Sequence, residues 1–412
     1  MSDSISTPLR EFRVLLLIWF GLRVLVLMTH GPILDPDGYP MGLLTFGELI
    51  NFLRLAEITE FTGTWPYFGY WVEYPPLFIF VNTAIHQLTA AGPGAVEQNY
   101  YYTLILISFA ADFGNLILMR KIGTHIYGEA RGLNLAWIYA FLPTAFIFMW
   151  WNFELWTTFF MLLGLWLVLS QKDISSGVAT AAGFLTKIFP VMLAPAVWKF
   201  RERAFAIRYT VALAGVALAA YLPLLVLSPQ FTLASLQSQL GKSSWQTVWA
   251  LMDGNFITGN FGGLSDRLDP ALATLQVGNP AVIPSGITFI VFVGIGLVFF
   301  LQPMRQSDRA LVAFFGITWC VFLLWSKGWS PQWMAMLLPL VLIVFPDRQG
   351  VLWVLVFAAI SFLEWPILFT RGMENPGLYL TAPLRTVFLV VLIAMFYQQC
   401  RPLAGRVTTQ PA

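Results

Sequence analysis

Residues 286–303 read GITFIVFVGIGLVFFLQP, eighteen consecutive positions without a charge. A helix needs about 20 apolar residues to cross the hydrocarbon core of a bilayer, with a range of roughly 17–25. Lipid admits only helices and closed barrels, because every backbone N–H and C=O there must pair internally. This run is continuous where a barrel strand would alternate, so it is a membrane helix. The same pattern recurs near 12–29, 77–91, 100–119, 132–150, 155–170, 174–198, 205–228, 309–325, 331–346, 350–369 and 380–399. The sequence therefore predicts an all-α fold: a polytopic transmembrane helical bundle of about twelve spans, with residues 1–412 forming a single integral membrane domain.

Composition agrees. The chain is 58% hydrophobic and 11% charged, where a soluble domain averages roughly 25% charged residues. A net charge of +2 without a basic block argues against nucleic acid as a partner. Cys320 lies inside an apolar run and Cys400 near the C-terminus, which implies no disulfide framework. His30, His86 and His125 are too far apart to suggest a metal site. The first apolar run lacks an evident small-residue cleavage site and reads as a retained span.

Two long polar segments interrupt the bundle, at 30–76 and 229–285. The first holds Asp35, Asp37, Glu48, Glu57, Glu60 and Glu73 against one base, Arg54. Apolar residues over 41–61 (Leu44, Ile50, Leu53, Leu55, Ile58) have the spacing of an amphipathic helix lying along the membrane interface. Basic residues collect on cytoplasmic loops. Lys199, Arg201, Arg203 and Arg208 mark one such loop, Arg305 and Arg309 another, and Arg10, Arg13, Arg401 and Arg406 the termini. Both polar segments and the 326–330 turn then share the opposite, external face. Arg120, Lys121 and Arg131 conflict with a plain count of twelve crossings. Either they are exceptions or the 77–91 and 174–198 runs include half-crossings.

Charges inside spans are costly and mark function or a buried pair. Asp112 lies in the 100–119 run, Lys187 in 174–198 and Arg23 in 12–29. Asp112 has two structural partners to choose from, Arg23 or Lys187. Lys187 follows Gly183 and precedes Pro190 and Pro195, so broken backbone can face a cavity there. A lysine in such a cavity suits an anionic phosphate, and Lys327 offers a second. The loop acids Asp35 and Asp37 are candidates for a general base, which must lie within hydrogen-bond reach of the proton it takes. Together these groups suit transfer of a sugar from a polyprenyl phosphate to a hydroxyl. One base on one face gives direct displacement and inversion, and a lysine stabilises the departing phosphate. The chemistry requires no cofactor; a divalent cation is compatible but not implied.

In order along the chain, five segments resemble the GT-C class of polytopic glycosyltransferases. They are Asp35-Pro36-Asp37, Glu73-Tyr74-Pro75-Pro76-Leu77, Ala111-Asp112-Phe113, Leu185-Thr186-Lys187-Ile188-Phe189-Pro190 and Ser326-Lys327-Gly328-Trp329-Ser330-Pro331-Gln332-Trp333. They are most similar to the polyprenyl-phosphate-mannose-dependent enzymes: the first mannosyltransferase of glycosylphosphatidylinositol assembly and the mycobacterial-type membrane mannosyltransferases. The resemblance implies catalysis outside the cytoplasm, with Asp35 or Asp37 as base and Lys187 and Lys327 at the donor phosphate. It places Tyr74, Asp112, Asn152, Glu154, Gln332 and Trp333 around the substrates. It also implies a polyprenyl-phosphate sugar donor, mannose above others, and a lipid or glycolipid acceptor. Two departures stand out. Asn152-Phe153-Glu154 replaces the Asn-x-Asp frequent in relatives, and Gly38-Tyr39-Pro40 after Asp37 is atypical. A compact chain without a C-terminal retention signal points to a prokaryotic plasma membrane rather than the endoplasmic reticulum. The main competing expectation is a transporter or lipid flippase in which Asp112 and Lys187 form an intramembrane coupling pair. A structural subunit whose polar residues only pack is the third.

Overall fold

The computed structural model describes residues 11–29, 33–34, 40–41, 48–92, 94–148, 152–256, 262–368 and 374–402. These are overwhelmingly helical, and every apolar run named above contains helix in its described part. Five helices are long and apolar enough to cross a membrane: Val96–Tyr127, Arg203–Leu227, Asp308–Trp325, Arg348–Trp365 and Pro376–Cys400. Four shorter apolar helices accompany them, Glu154–Leu169, Phe189–Phe200, Ser285–Leu301 and Pro331–Val344. This is the make-up of a multi-pass membrane protein. The only strands among the described residues are the two-residue antiparallel pair Ile33–Leu34 and Pro40–Met41.

Two of the apolar runs depart from simple crossings. The Pro76–Ala90 helix has 15 residues, about 22 Å at 1.5 Å per residue, and is short for a bilayer core. It packs beside the first part of the 32-residue Val96–Tyr127 helix. Tyr100 donates from its hydroxyl to Asn82, and the Tyr100 ring meets His86 edge-on. The 174–198 run is broken: the Asp173–Thr186 helix stops, Lys187 is extended, and a 3₁₀ turn, Phe189–Leu193, leads into Ala194–Phe200. Pro190 lacks the N–H that a continuing helix needs. Gly183 makes the reversal feasible, because a Cβ there would lie 2.7 Å from the Pro190 ring.

These departures account for the misplaced basic residues. Arg120 lies over the ring of Phe12, 4.3 Å from its centroid. His125 is 2.8 Å from Asp308, whose other oxygen accepts from Arg201 Nη2 at 2.8 Å. Tyr127 donates to the carbonyl of Ile343, and Arg309 to that of Val344. Arg120, Lys121 and Arg131 therefore share one end of the bundle with Arg201 and Arg309. A plain count of twelve crossings sets them at the other end.

The opposite end gathers the polar segments. Arg267 and Glu73 form an ion pair, with Nη2 to Oε1 at 3.0 Å. Trp71 N donates to Arg267 O, and Trp71 Nε1 to the carbonyls of Asp266 and Asp269. Trp245 and Gly328 form a β-bridge, with Trp245 N donating to Lys327 O at 3.1 Å. Gly328 is required there: a Cβ would fall 2.0 Å from the Trp245 ring. The amphipathic helix runs over Leu49–Thr62, and residues 42–47 lie outside the described set. Its Phe52 and Leu53 join a core with Phe78 and Phe153, so the Pro76–Ala90 helix covers that face where an interfacial position would give it to lipid.

Candidate active site

A cavity of about 500 Å³ opens where the broken helix at Lys187 meets the two polar segments and the 326–330 turn. Of the expected site residues, Tyr74, Lys187, Lys327, Gln332 and Trp333 line it. Asp35 and Asp37 lie outside the described residues.

Helix ends position the cations. Lys187 follows the last turn of Asp173–Thr186, its N–H closing on Gly183 O at 2.8 Å. Its ammonium pairs with Glu154, which is fully buried at the start of the Glu154–Leu169 helix. The rings of Phe153, Phe189 and Trp333 surround it at 5.0, 5.6 and 5.6 Å. Lys187 thus reaches the cavity with its charge already shared. Asn152 is buried beside this pair, its Oδ1 accepting from Glu154 N at 3.0 Å. Asn152 and Glu154 stand behind the cavity wall as supports of Lys187, not on its surface. Lys327 sits in a turn held by two bonds to its own carbonyl, from Trp245 N and Thr247 Oγ1.

Asp112 is elsewhere. It pairs with Arg23 at 2.9 Å, both side chains fully buried. Oδ2 also accepts from Trp19 Nε1 at 2.8 Å and Oδ1 from the Tyr139 hydroxyl at 2.6 Å. It does not line the cavity. The expected contact of Asp112 with substrate is therefore corrected to a bond between helices. The intramembrane Asp112–Lys187 coupling pair is absent as well, since each member has another partner.

Three charged lining residues were not among the expected site residues: Glu48, Glu73, which the sequence presents only as a loop acid and the start of a motif, and Lys242. Glu48 precedes the Leu49–Thr62 helix but makes no side-chain cap. Its Oε1 instead accepts from Gln332 Nε2 at 3.1 Å. Burial raises its carboxyl to about 7, with Glu154 adding to the rise while Lys187, Lys242 and the Gln332 bond oppose it. Lys242 lies 4.1 Å from the Trp245 ring centroid. Burial lowers its ammonium to about 8 against the pull of Glu73 and Glu48. Burial pushes Glu73 up, but the charge and hydrogen bonds of Arg267 outweigh it and hold that carboxyl below its usual range.

The arrangement can hold an anion near Lys187, Lys242 and Lys327, stack a ring on Trp245 or Trp333, and accept a proton at a carboxylate. Apolar surface from Phe184, Ile188 and Phe322 continues from the lysines. Among the described residues no group of three or more His, Cys, Asp or Glu could hold a metal ion.

No family model matches the chain, and no curated protein matches its sequence. Among solved structures it is similar to the apo crystal structure of the Archaeoglobus fulgidus oligosaccharyltransferase, with 13% identity and a TM-score of 0.44. That match covers 93% of this chain and 56% of the other. Two further matches have 13% identity and TM-scores of 0.38. One is the same enzyme with Zn and sulfate, covering 94% of this chain and 54% of that one. The other is archaeal oligosaccharyltransferase AglB from A. fulgidus with an inhibitory peptide and a dolichol-phosphate, covering 95% and 56%. This chain spans about half the length of these structures. Scores this low carry no inference about chemistry.

Proposed function

We propose that this protein is an inverting glycosyltransferase of GT-C type. It moves a sugar, mannose by motif resemblance, from a polyprenyl-phosphate donor to a hydroxyl of a lipid or glycolipid acceptor. One observation carries the reading: a cavity at the junction of apolar helices and polar segments presents three lysines, two carboxylates and an aromatic wall together. A phosphate linked to a long apolar chain and a sugar has those same three parts. The acceptor oxygen attacks the anomeric carbon while its proton passes to a carboxylate, which the motif resemblance assigns to Asp35 or Asp37. The bond from that carbon to the phosphate oxygen breaks, its electron pair stays on the phosphate, and Lys187, Lys242 and Lys327 stabilise the added charge.

The positive-inside rule sets the Arg201–Arg309 end in the cytoplasm and the cavity outside. Twelve crossings follow when Pro76–Ala90 counts as none and the broken 173–200 stretch as two.

The test supplies labelled polyprenyl-phosphate mannose to membranes containing the protein and analyses the lipids by mass. A new labelled glycolipid that disappears with Asp35→Asn or Asp37→Asn is expected. No labelled product under any acceptor lipid overturns the reading, and full activity in both variants overturns the assignment of the base.

A further inference from the structure

Two charged residues of the cavity wall pair with groups behind it, Lys187 with Glu154 and Glu73 with Arg267. Each largely cancels itself. The remaining charged side chains on the wall are Lys242, Lys327 and Glu48. Protonation of Glu48 raises the charge of this wall by one.

The proposed reaction changes its own charge in step. A sugar-phosphate-polyprenol is a phosphodiester with one negative charge. The departing polyprenyl phosphate is a monoester whose second ionisation lies near pH 6, so at neutral pH it carries close to two. The proton lost by the acceptor hydroxyl accounts for the difference. A cavity that gains a proton as its ligand gains a negative charge stays matched throughout.

We propose that Glu48 is the proton-holding group of this site: it carries a proton when a phosphate monoester occupies the cavity, and in turnover that proton is the one given up by the acceptor hydroxyl. The inference rests on the glycosyl-transfer reading above. Geometry supports it. Glu48 sits at the cavity wall with one oxygen taken by Gln332, which leaves the second for a proton. The charged groups around it are Glu154, Lys187 and Lys242, on three different segments of the chain. Its position at a helix N-terminus would normally favour an ionised, capping carboxylate, yet the side chain turns away from the helix. Its raised carboxyl fits a group that exchanges a proton near neutral pH. In the balanced step, the acceptor O–H bond breaks, its proton passes by way of the loop carboxylate that serves as base, and Glu48 O–H forms. The acceptor oxygen bonds to the anomeric carbon, and the carbon–phosphate oxygen bond breaks with its pair left on phosphate.

The experiment measures binding, not turnover. A short-chain polyprenyl phosphate is titrated calorimetrically into the full-length protein in detergent at pH 7.5, in two buffers of different ionisation enthalpy. The wild type is expected to take up close to one proton per bound ligand beyond the ligand's own ionisation, while Glu48→Gln takes up only the ligand's share. Between pH 6 and 8 the wild type should lose about tenfold more affinity than Glu48→Gln, one pKa unit being tenfold. Glu48→Asp should restore the uptake, which separates a proton site from a packing role. Equal proton uptake in wild type and Glu48→Gln overturns this proposal and leaves the glycosyl-transfer reading standing. No binding to the wild type overturns both.

Discussion

Two of the ion pairs within the helices of the bundle have unlike surroundings. At Arg23–Asp112 every carboxylate oxygen is bonded, by Arg23 and Trp19 on one side and Tyr139 on the other, and neither side chain is exposed. At Lys187–Glu154 the lysine is 17% exposed to a cavity, and Glu154 Oε2 has no hydrogen-bond partner among the described residues. The first pair is complete on its carboxylate side and serves to bind the Phe12–Thr29, Val96–Tyr127 and Glu129–Ala140 helices together. The second is incomplete on that side, and its lysine faces the cavity. Sequence presents both as a charge in an apolar run; saturation of the hydrogen bonds is what separates them.

The largest expected effect follows from breaking the complete pair. Removing one member of a buried ion pair leaves an uncompensated charge and costs about 3–5 kcal/mol. Asp112→Ala should therefore sharply reduce the yield of folded protein and its melting temperature in detergent. Replacing both partners by apolar residues, Arg23→Met with Asp112→Leu, should recover most of that loss, since such swaps are often near neutral. Transfer activity should return with the fold. If the double variant folds but cannot transfer sugar, Asp112 belongs to the chemistry after all.

The same manipulation at the cavity pair should give the opposite pattern. Lys187→Met should lower sugar transfer by roughly 10²–10³-fold, the order seen when one electrostatic stabiliser is removed. Its melting temperature should fall less than that of Asp112→Ala. Adding Glu154→Gln should restore stability and leave transfer low. Recovery of transfer in the double variant would make Lys187 a structural residue like Arg23.

How much of this was legible beforehand follows the same division. Apolar run length reports helices directly, so the crossings near 205–228, 309–325 and 380–399 needed no tertiary information. The Pro76–Ala90 run was read as a span with a half-crossing as the alternative, and its 15 residues fall below the roughly 17–25 that span a bilayer. Lys187 was legible from its setting between Gly183 and Pro190. Which partner Asp112 takes was not, because Arg23 and Lys187 are equivalent until the order of helices in the bundle is known. Glu48 was one acid among several in a polar segment. The available signal was its place directly before the Leu49–Thr62 helix, but that signal predicts a cap, whereas the fold turns the side chain to Gln332. Lys242 reads as an ordinary loop lysine until the second polar segment docks on the first.

A smaller effect separates two carboxylates of the same polar segment by the sign of their pH dependence. Arg267 holds Glu73 below its usual range. Its contribution to stability is therefore present above the unfolded value of 4.5 and is lost only as pH falls through the lowered folded value. Glu48 is raised to about 7. Its protonated form favours the fold below 4.5, and that advantage disappears as pH rises to 7 and beyond. Melting temperatures of Glu48→Gln should therefore match the wild type near pH 4.5 and exceed it at pH 8. Glu73→Gln should melt lower than the wild type at pH 8, the two converging in acid. Parallel curves for both variants would remove the distinction.

The smallest effect tests whether the incomplete pair depends on its support. Asn152 accepts a hydrogen bond from the backbone N–H of Glu154 and so fixes the first turn of the helix that presents Glu154 to Lys187. Losing such a side-chain bond at a helix start costs about 1 kcal/mol, which predicts a slight drop in melting temperature for Asn152→Ala. If the pair matters only for packing, transfer should fall no further than the folded fraction does. If Glu154 must hold Lys187 at one position facing the cavity, transfer should fall several-fold at unchanged folded fraction, because a shift of about 1 Å from productive geometry is itself enough to slow catalysis. Asn152→Asp keeps an acceptor at the same place and should restore the melting temperature. It also adds a second negative charge beside Glu154, which should draw Lys187 away from the cavity and leave transfer low.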